Sequence, residues 1–496
     1  MVSPMATAAQ LFPNSSATDS STSSAWSRAF QNLSREHGFE PLRTEGALPE
    51  DLVGTFFRNG PALFDRFGER YRHWFDGDGA MTGVRFSGGR AYGACRLVQT
   101  PGLVRERRAN RRLFAGYNMP LARPLWEVLF GERKNPANTH AFLYQGRLFA
   151  TCEGGLPVEL SPHDLGTLGE TDLDGVLVHA FSAHVHRVPQ RRASYNFGAR
   201  LGPKTELTAY ELPDEGRPRR LATFSVDGMR IVHDFVVTDR HLVFVIAPIY
   251  LQFWEMLLRK RGPLDTAQWL AERGTEVVIV PIDRPYVPIR LTIEAFLLEH
   301  TANAFEQDGA LVFDFTHYAD LEGLEGAIGG ALQGGVRAPW RGSLRRGRID
   351  LARRSFQMEE RLSQPVEMPR VSPHVDARPY RYMYLTGFSS PSHQAMSMWD
   401  AVMKLDMDQA SVERYAPGPD KFPSEAVFVP RRLTPGEVTA EDDGYLLTLV
   451  YDARADASHV EILDARAPSA GPVAKAYLDH PVPLGFHGSW MDAHAL

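Results

Sequence analysis

Seventeen histidines in 496 residues are the first candidates for chemistry, because imidazole serves both as a metal ligand and as a proton carrier near neutral pH. Four of them stand beside apolar, strand-like runs: His184 in "FSAHVHRVP", His233 in "IVHDFVVT", His300 in "LLEHTANAFEQDG" and His487 in "GFHGSW". They lie 49, 67 and 187 residues apart (184 to 233, 233 to 300, 300 to 487). No His-Glu-x-x-His or His-x-x-Glu-His motif joins them on one helix face, and with only Cys95 and Cys152 in the chain there is no thiolate zinc site. Taken singly, His487 between Phe486 and Gly488 reads as a core histidine whose ring nitrogens find backbone partners. The four form one ligand set only if a closed architecture brings distant strands to a common axis.

The rest of the chain supplies such an architecture. From about residue 50 onward, β-branched and aromatic runs are separated by tight-turn residues: "MTGVRFSGGRAYGACRL" (81–97), "HAFLYQGRLFATCEGG" (140–155), "AFEQDGALVFDF" (304–315) and "EDDGYLLTLVYDARADASHVEILDA" (441–465). Glycine in these turns tolerates the positive φ that a two-residue hairpin needs. The pattern runs to about residue 480 without a Pro/Ser-rich linker, which predicts one all-β domain over 26–496. A length of roughly 450 structured residues is too long for one barrel and suits a seven-bladed β-propeller, whose central channel gathers residues from every blade. The Ser/Thr-rich "SSATDSSTSS" (15–24) marks residues 1–25 as a disordered leader.

Bulk properties narrow the function classes. A net charge of −6 and a pI near 6.3 give no basic footprint for nucleic acid. Two cysteines suit a reducing, cytoplasmic compartment, and the longest apolar run, "LVFVIAPIYL" (242–251), is half of what a membrane helix needs. Two stretches break the β pattern, "NMPLARPLWEVLFGER" (118–133) and "PIYLQFWEMLLRKRG" (248–262). Either they cap the sheet core as helices, or they form an interfacial patch with apolar side chains in lipid and basic ones at the headgroups.

These histidine segments, read with "FFRNGPALF" (56–64), "HWFDGDGAMTGVRF" (73–86), "NPANTHAFLYQGRLFATCEGGLPVELSP" (135–162), "EMPRV" (367–371) and "PSEAVFVPR" (423–431), resemble the carotenoid cleavage oxygenase family, and bacterial and cyanobacterial apocarotenoid-cleaving members in particular. The resemblance covers nearly the whole chain. It implies a seven-bladed propeller with a helical cap over a substrate tunnel, and iron(II) on the axis held by His184, His233, His300 and His487. Neutral imidazoles suit iron(II) but leave its charge uncompensated, and the resemblance places Glu153, Glu367 and Glu425 behind the rings to fix their orientation. Thr139 matches the position whose methyl group crowds one open coordination site. His186 shares a strand face with His184 by alternation, yet the family pattern puts the ligand at His184. His73 is expected to be structural.

The resemblance further implies a dioxygenase that uses O2 to split one C=C bond of a carotenoid or apocarotenoid into two carbonyl products, with the central 15,15′ bond and retinal as the first expectation. Stilbene cleavage is a rival reading; it is weakened because stilbene-cleaving members carry a lysine where this chain has Cys152. A retinoid isomerohydrolase activity is a further rival, and a non-catalytic propeller scaffold is a rival from another class. An apolar polyene resides in membranes, so peripheral membrane contact through Trp126, Leu129, Phe130, Leu251, Phe253, Trp254 and Leu257 is expected, without an obligate protein partner.

Overall fold

The computed structural model describes residues 24–119, 134–259, 262–390, 396–431 and 439–493. Seven antiparallel sheets follow one another around an axis as the blades of a β-propeller. The hairpins read from the sequence are present: Gly88 and Gly89, Gln145 and Gly146, and Asp308 and Gly309 all take positive φ between paired strands. Such paired left-handed residues match the twist of the strands they connect.

The second to seventh blades have innermost strands at His140–Tyr144, His186–Val188, Val236–Val237, Leu297–Gln307, Glu367–Arg370, and the short pair Lys421–Pro423 and Val427–Pro430. Outer strands such as Ser355–Leu362 and Ile289–Ile293 alternate toward solvent, whereas Leu297–Gln307 and Val427–Pro430 are mostly buried. Between blades the packing is aromatic and aliphatic. Phe197, Phe235 and Phe244 fill the space between the third and fourth, and Phe296, Phe313 and Phe315 that between the fourth and fifth.

The ring is closed from both ends of the chain. The first blade orders its strands as His37–Pro41, Arg90–Leu97, Asp78–Ser87, Gly54–Leu63 and finally Gly488–Asp492. The last pair runs in register from Gly54 opposite Asp492 to Arg58 opposite Gly488. The seventh blade reciprocates by taking the early strand Arg43–Gly46 against Pro472–Tyr477.

Helices are few. Among the described residues the longest are Pro101–Ala109 and Leu321–Ile328, with Thr100 and Asp320 capping their first turns. The helix-compatible stretch 248–262 divides: Ile249–Leu251 is a strand paired with Ala267–Trp269, and only Phe253–Arg259 is helical. Most of 118–133 lies outside the described residues, as does the expected leader up to residue 23. Ala25–Phe30, by contrast, is a short 3-10 helix with Trp26 and Phe30 in the core.

Candidate metal centre

Every blade places one of the sequence-predicted residues at or near the start of its innermost strand. Thr139 precedes the second blade's strand, and His184 and His233 precede those of the third and fourth. His300 and Glu367 lie within those of the fifth and sixth. Glu425 falls between the seventh blade's two short strands, and His487 immediately precedes the strand that completes the first. The loop-to-strand transitions at one end of the channel therefore converge.

The four histidines meet. His184 Nε2 lies 3.0 Å from His233 Nε2, which lies 3.3 Å from His300 Nε2. The rings of His184, His300 and His487 are 4.9–5.2 Å apart, with a potential ligand atom on each within 4.8 Å of the others. The three predicted carboxylates sit behind the rings at Nδ1: Glu153 at 3.1 Å from His233, Glu367 at 2.6 Å from His300, and Glu425 at 2.9 Å from His487. A carboxylate there accepts a hydrogen bond from Nδ1–H and so turns the bare Nε2 inward.

Two of these carboxylates, Glu367 and Glu425, are themselves held. Glu367 accepts from the Tyr318 hydroxyl at 2.6 Å and from the Met368 N–H at 3.2 Å. Glu425 accepts from Arg370 at 2.7 Å, Arg58 at 3.2 Å and the Gly488 N–H at 2.8 Å. Burial would push the Glu425 carboxyl up, but Arg370, His487 and Arg58 together hold it well below the usual carboxylate range. Burial pulls the Arg58 guanidinium down to about 10, against the opposing pull of Glu425. Arg58 also donates to the Phe486 carbonyl, so this ion pair fastens the first blade to the segment carrying His487.

His184 is positioned through its backbone. Asn196 Nδ2 donates to the carbonyls of Ser182 and His184 at 2.9 and 2.8 Å, and Ser182 Oγ accepts the His184 N–H at 3.1 Å. His186 does not share its face. The strand begins only at His186, so alternation does not extend back to His184, and His186 Nε2 instead bonds Asp234 at 2.7 Å. Asp234 also accepts the Thr301 N–H at 2.6 Å, bracing the segment that carries His233 against the one that carries His300.

The sequence reading missed Asp234, Arg58, Glu299 and His140. Burial lowers His140 to about 3 and so keeps it neutral beside His487, although its Nδ1 donates to the Ala183 carbonyl at 2.7 Å. His73 is structural as expected. It is fully buried, accepts the Phe75 N–H and contacts Glu325 at 3.3 Å. Thr139 is buried; its hydroxyl donates to Asn138 at 3.1 Å and its carbonyl accepts the His487 N–H at 3.0 Å.

The donor set fits a transition-metal cation. His233 and His300 both have Nδ1 against a carboxylate, which leaves their Nε2 atoms 3.3 Å apart, an arrangement that a cation between them would stabilise. The surrounding field agrees. Although burial opposes it, Glu299 and Glu153 raise His233 to about 10, and Glu367 raises His300. Burial keeps the other two rings neutral, with His184 well below 6.5 and His487 near 4. Four imidazole nitrogens exclude magnesium and calcium, which require oxygen ligands.

Apolar side chains wall the side next to His487. Phe486 packs on Trp74 and Phe75 at 4.5 and 5.3 Å, Phe75 on Tyr117 at 5.5 Å, and the Trp74 indole N–H donates to the Leu484 carbonyl. Cys152 is buried, its thiol pushed up to about 12 by burial while donating to Asn135. Of the expected membrane patch, Phe253 and Trp254 are exposed, by 37% and 68%; Leu258, outside that expected set, is exposed by 76%. Leu251 is corrected: it is 6% exposed, because its strand pairing turns it into the core. Trp126, Leu129, Phe130 and the Leu257 side chain lie outside the described residues. Among the described residues no helix is long and apolar enough to cross a membrane.

Comparison with known proteins gives a consistent picture. The family model described as retinal pigment epithelial membrane protein matches residues 30–492. The chain is 32% identical over 483 residues to the apocarotenoid-15,15′-oxygenase of Synechocystis, covering 94% of this chain and 96% of that one. It is 28% identical to carotenoid 9,10(9′,10′)-cleavage dioxygenase 1 of Phaseolus vulgaris, over 92% of this chain and 87% of that one. A crystal structure of cobalt-substituted Synechocystis apocarotenoid oxygenase superposes with a TM-score of 0.85 at 30% identity, covering 95% and 99% of the two chains.

Proposed function

Since the chain belongs to the retinal pigment epithelial membrane protein family, the carotenoid cleavage oxygenases, we propose that it is a nonheme iron(II) dioxygenase cleaving an apocarotenoid at its central 15,15′ bond to give retinal. The observation that carries this reading is the convergence of His184, His233, His300 and His487, three of them backed by a carboxylate at Nδ1. A scaffold propeller has no use for four inward-facing imidazoles in a buried centre.

These four residues would hold the iron, which when bound supplies activation of dioxygen. Overall, R–CH=CH–R′ and O2 yield RCHO and R′CHO, so both oxygen atoms end in carbonyl groups and no net proton is moved. The protein's task is then to position the polyene and exclude water. Phe486, Trp74 and Phe75 supply a dry wall beside His487. The Thr139 hydroxyl is tied to Asn138, which fixes the direction of its methyl group; we assign that methyl the crowding of one open position. The neutral Cys152 thiol offers no cation to a phenolate, which disfavours stilbenes.

Aerobic incubation with β-apo-8′-carotenal, β-carotene and resveratrol separately, with products identified by mass, tests the substrate. Retinal from the apocarotenal is the expected outcome. Hydroxylated benzaldehydes from resveratrol, with the apocarotenal untouched, would overturn the reading.

A polyene must leave a lipid phase to reach the site, and the exposed Phe253, Trp254 and Leu258 suit contact with a bilayer surface. Replacing Phe253 and Trp254 together by Asp is expected to abolish flotation with anionic liposomes. Unchanged flotation removes this helix from the membrane contact.

A further inference from the structure

The strand carrying His300 brings a second residue to the centre. In a regular strand Glu299 and His300 would face opposite sides. Here Leu298 pairs with His317 and Thr301 with Phe315, so Glu299 and His300 together oppose the single residue Thr316. A bulge of this kind lets neighbouring side chains share one side. Glu299 is 6% exposed, and its Oε1 lies 3.5 Å from His233 Nε2. Potential ligand atoms of His233, Glu299 and His300 all lie within 4.8 Å of one another.

Its placement differs from that of the other three carboxylates. Glu153, Glu367 and Glu425 each lie nearest a ring Nδ1, at 2.6–3.1 Å, whereas Glu299 lies nearest an inward Nε2; Glu153 Oε1 is also 3.9 Å from His184 Nε2 but is closer to His233 Nδ1. Among the described residues no lysine or arginine pairs with it. The 3.5 Å separation continues the series of 3.0 and 3.3 Å between the inward nitrogens. Such spacings are those of adjacent ligands about one metal with bonds of about 2.1 Å.

We propose that Glu299 is an oxygen donor to the metal, making the centre of this chain four imidazoles and one carboxylate; the proposal rests on the metal-centre reading above. The carboxylate neutralises one of the metal's two charges within the site, and it leaves one coordination position open where four histidines alone would leave two. It also shifts preference toward metals that accept a hard oxygen ligand, such as iron(II), manganese(II) and cobalt(II).

The test titrates chelator-treated protein with cobalt(II), reading the visible ligand-field bands and the dissociation constant by chelator competition, for wild type, Glu299→Gln and Glu299→Leu. The leucine variant replaces a buried charge by an apolar group of similar size and is checked for folding by circular dichroism. The expected result is one cobalt per wild-type chain, with affinity in Glu299→Leu weakened beyond the roughly 100-fold upper end that loss of an outer partner costs and altered bands. Unchanged affinity and bands in both variants overturn the proposal. Weakened affinity with unchanged bands also overturns it, leaving Glu299 a nearby charge rather than a ligand. A wild-type protein that binds no cobalt overturns the metal-centre reading itself.

Discussion

Replacing His300 by Ala is expected to remove the metal and the cleavage activity together while leaving the propeller folded. His300 is one of four imidazoles at the centre, and its Nδ1 is bonded to Glu367. Loss of its ring does not orphan Glu367, which keeps the Tyr318 hydroxyl, the Thr316 hydroxyl and the Met368 N–H. The strand Leu297–Gln307 keeps its ladder with Ala310–Tyr318. Metal affinity responds more steeply. Removing an outer partner of a ligand costs about 10- to 100-fold, and removing a ligand costs more. Elemental analysis of protein expressed with iron should therefore fall from about one metal per chain to near zero, with the far-ultraviolet spectrum retained. Stoichiometric iron in a folded His300→Ala protein would sink the four-histidine assignment.

Deleting residues 482–496 should have the largest effect on the molecule as a whole. That segment contributes Leu484 and Phe486 to one core cluster and Met491 to another, the strand Gly488–Asp492 to the first blade, and His487 to the centre. It also withdraws the His487 and Gly488 donors from Glu425. Truncating one large buried apolar side chain costs about 2–5 kcal/mol, and disturbing a buried ion pair costs about 3–5 kcal/mol. Summed over the three side chains and the pair, these match or exceed the roughly 5–15 kcal/mol by which a domain is stable. The truncated chain is expected to lose its cooperative thermal transition, whereas His487→Ala keeps the transition and loses only the metal. A truncated protein that melts cooperatively and holds iron contradicts this account of ring closure.

The site was legible in the sequence to the degree that residue type and motif order carried it. The four histidines and three carboxylates were placed by resemblance, and the structure gathers all seven because each belongs to a different blade or to a loop beside one. Glu299 was not legible, since strand alternation assigns it the face opposite His300 and only the bulge at 299–300 reverses that. Asp234, Arg58 and His140 bond to backbone groups or to other carboxylates across tens to hundreds of residues, and no local pattern announces such a partner. Leu251 failed for a related reason: a run of apolar residues looks the same whether it faces lipid or core, and the pairing with Ala267–Trp269 decided the matter. The hairpins were read well because positive φ at Gly-Gly, Gln-Gly and Asp-Gly is a local constraint.

The closing strand has a consequence for how the protein is made. Its last imidazole is supplied at position 487, and the strand that fixes it must pair with residues 54–58 from the other end of the chain. During synthesis the nascent polypeptide carries His184, His233 and His300 long before the fourth donor leaves the ribosome, and contacts of such sequence separation form late. The four-imidazole set is therefore incomplete until residue 487 has been made and its strand has paired. A metal held by all four would be loaded only after that pairing, and a chain stalled before residue 487 would carry an incomplete centre however well its earlier blades have folded.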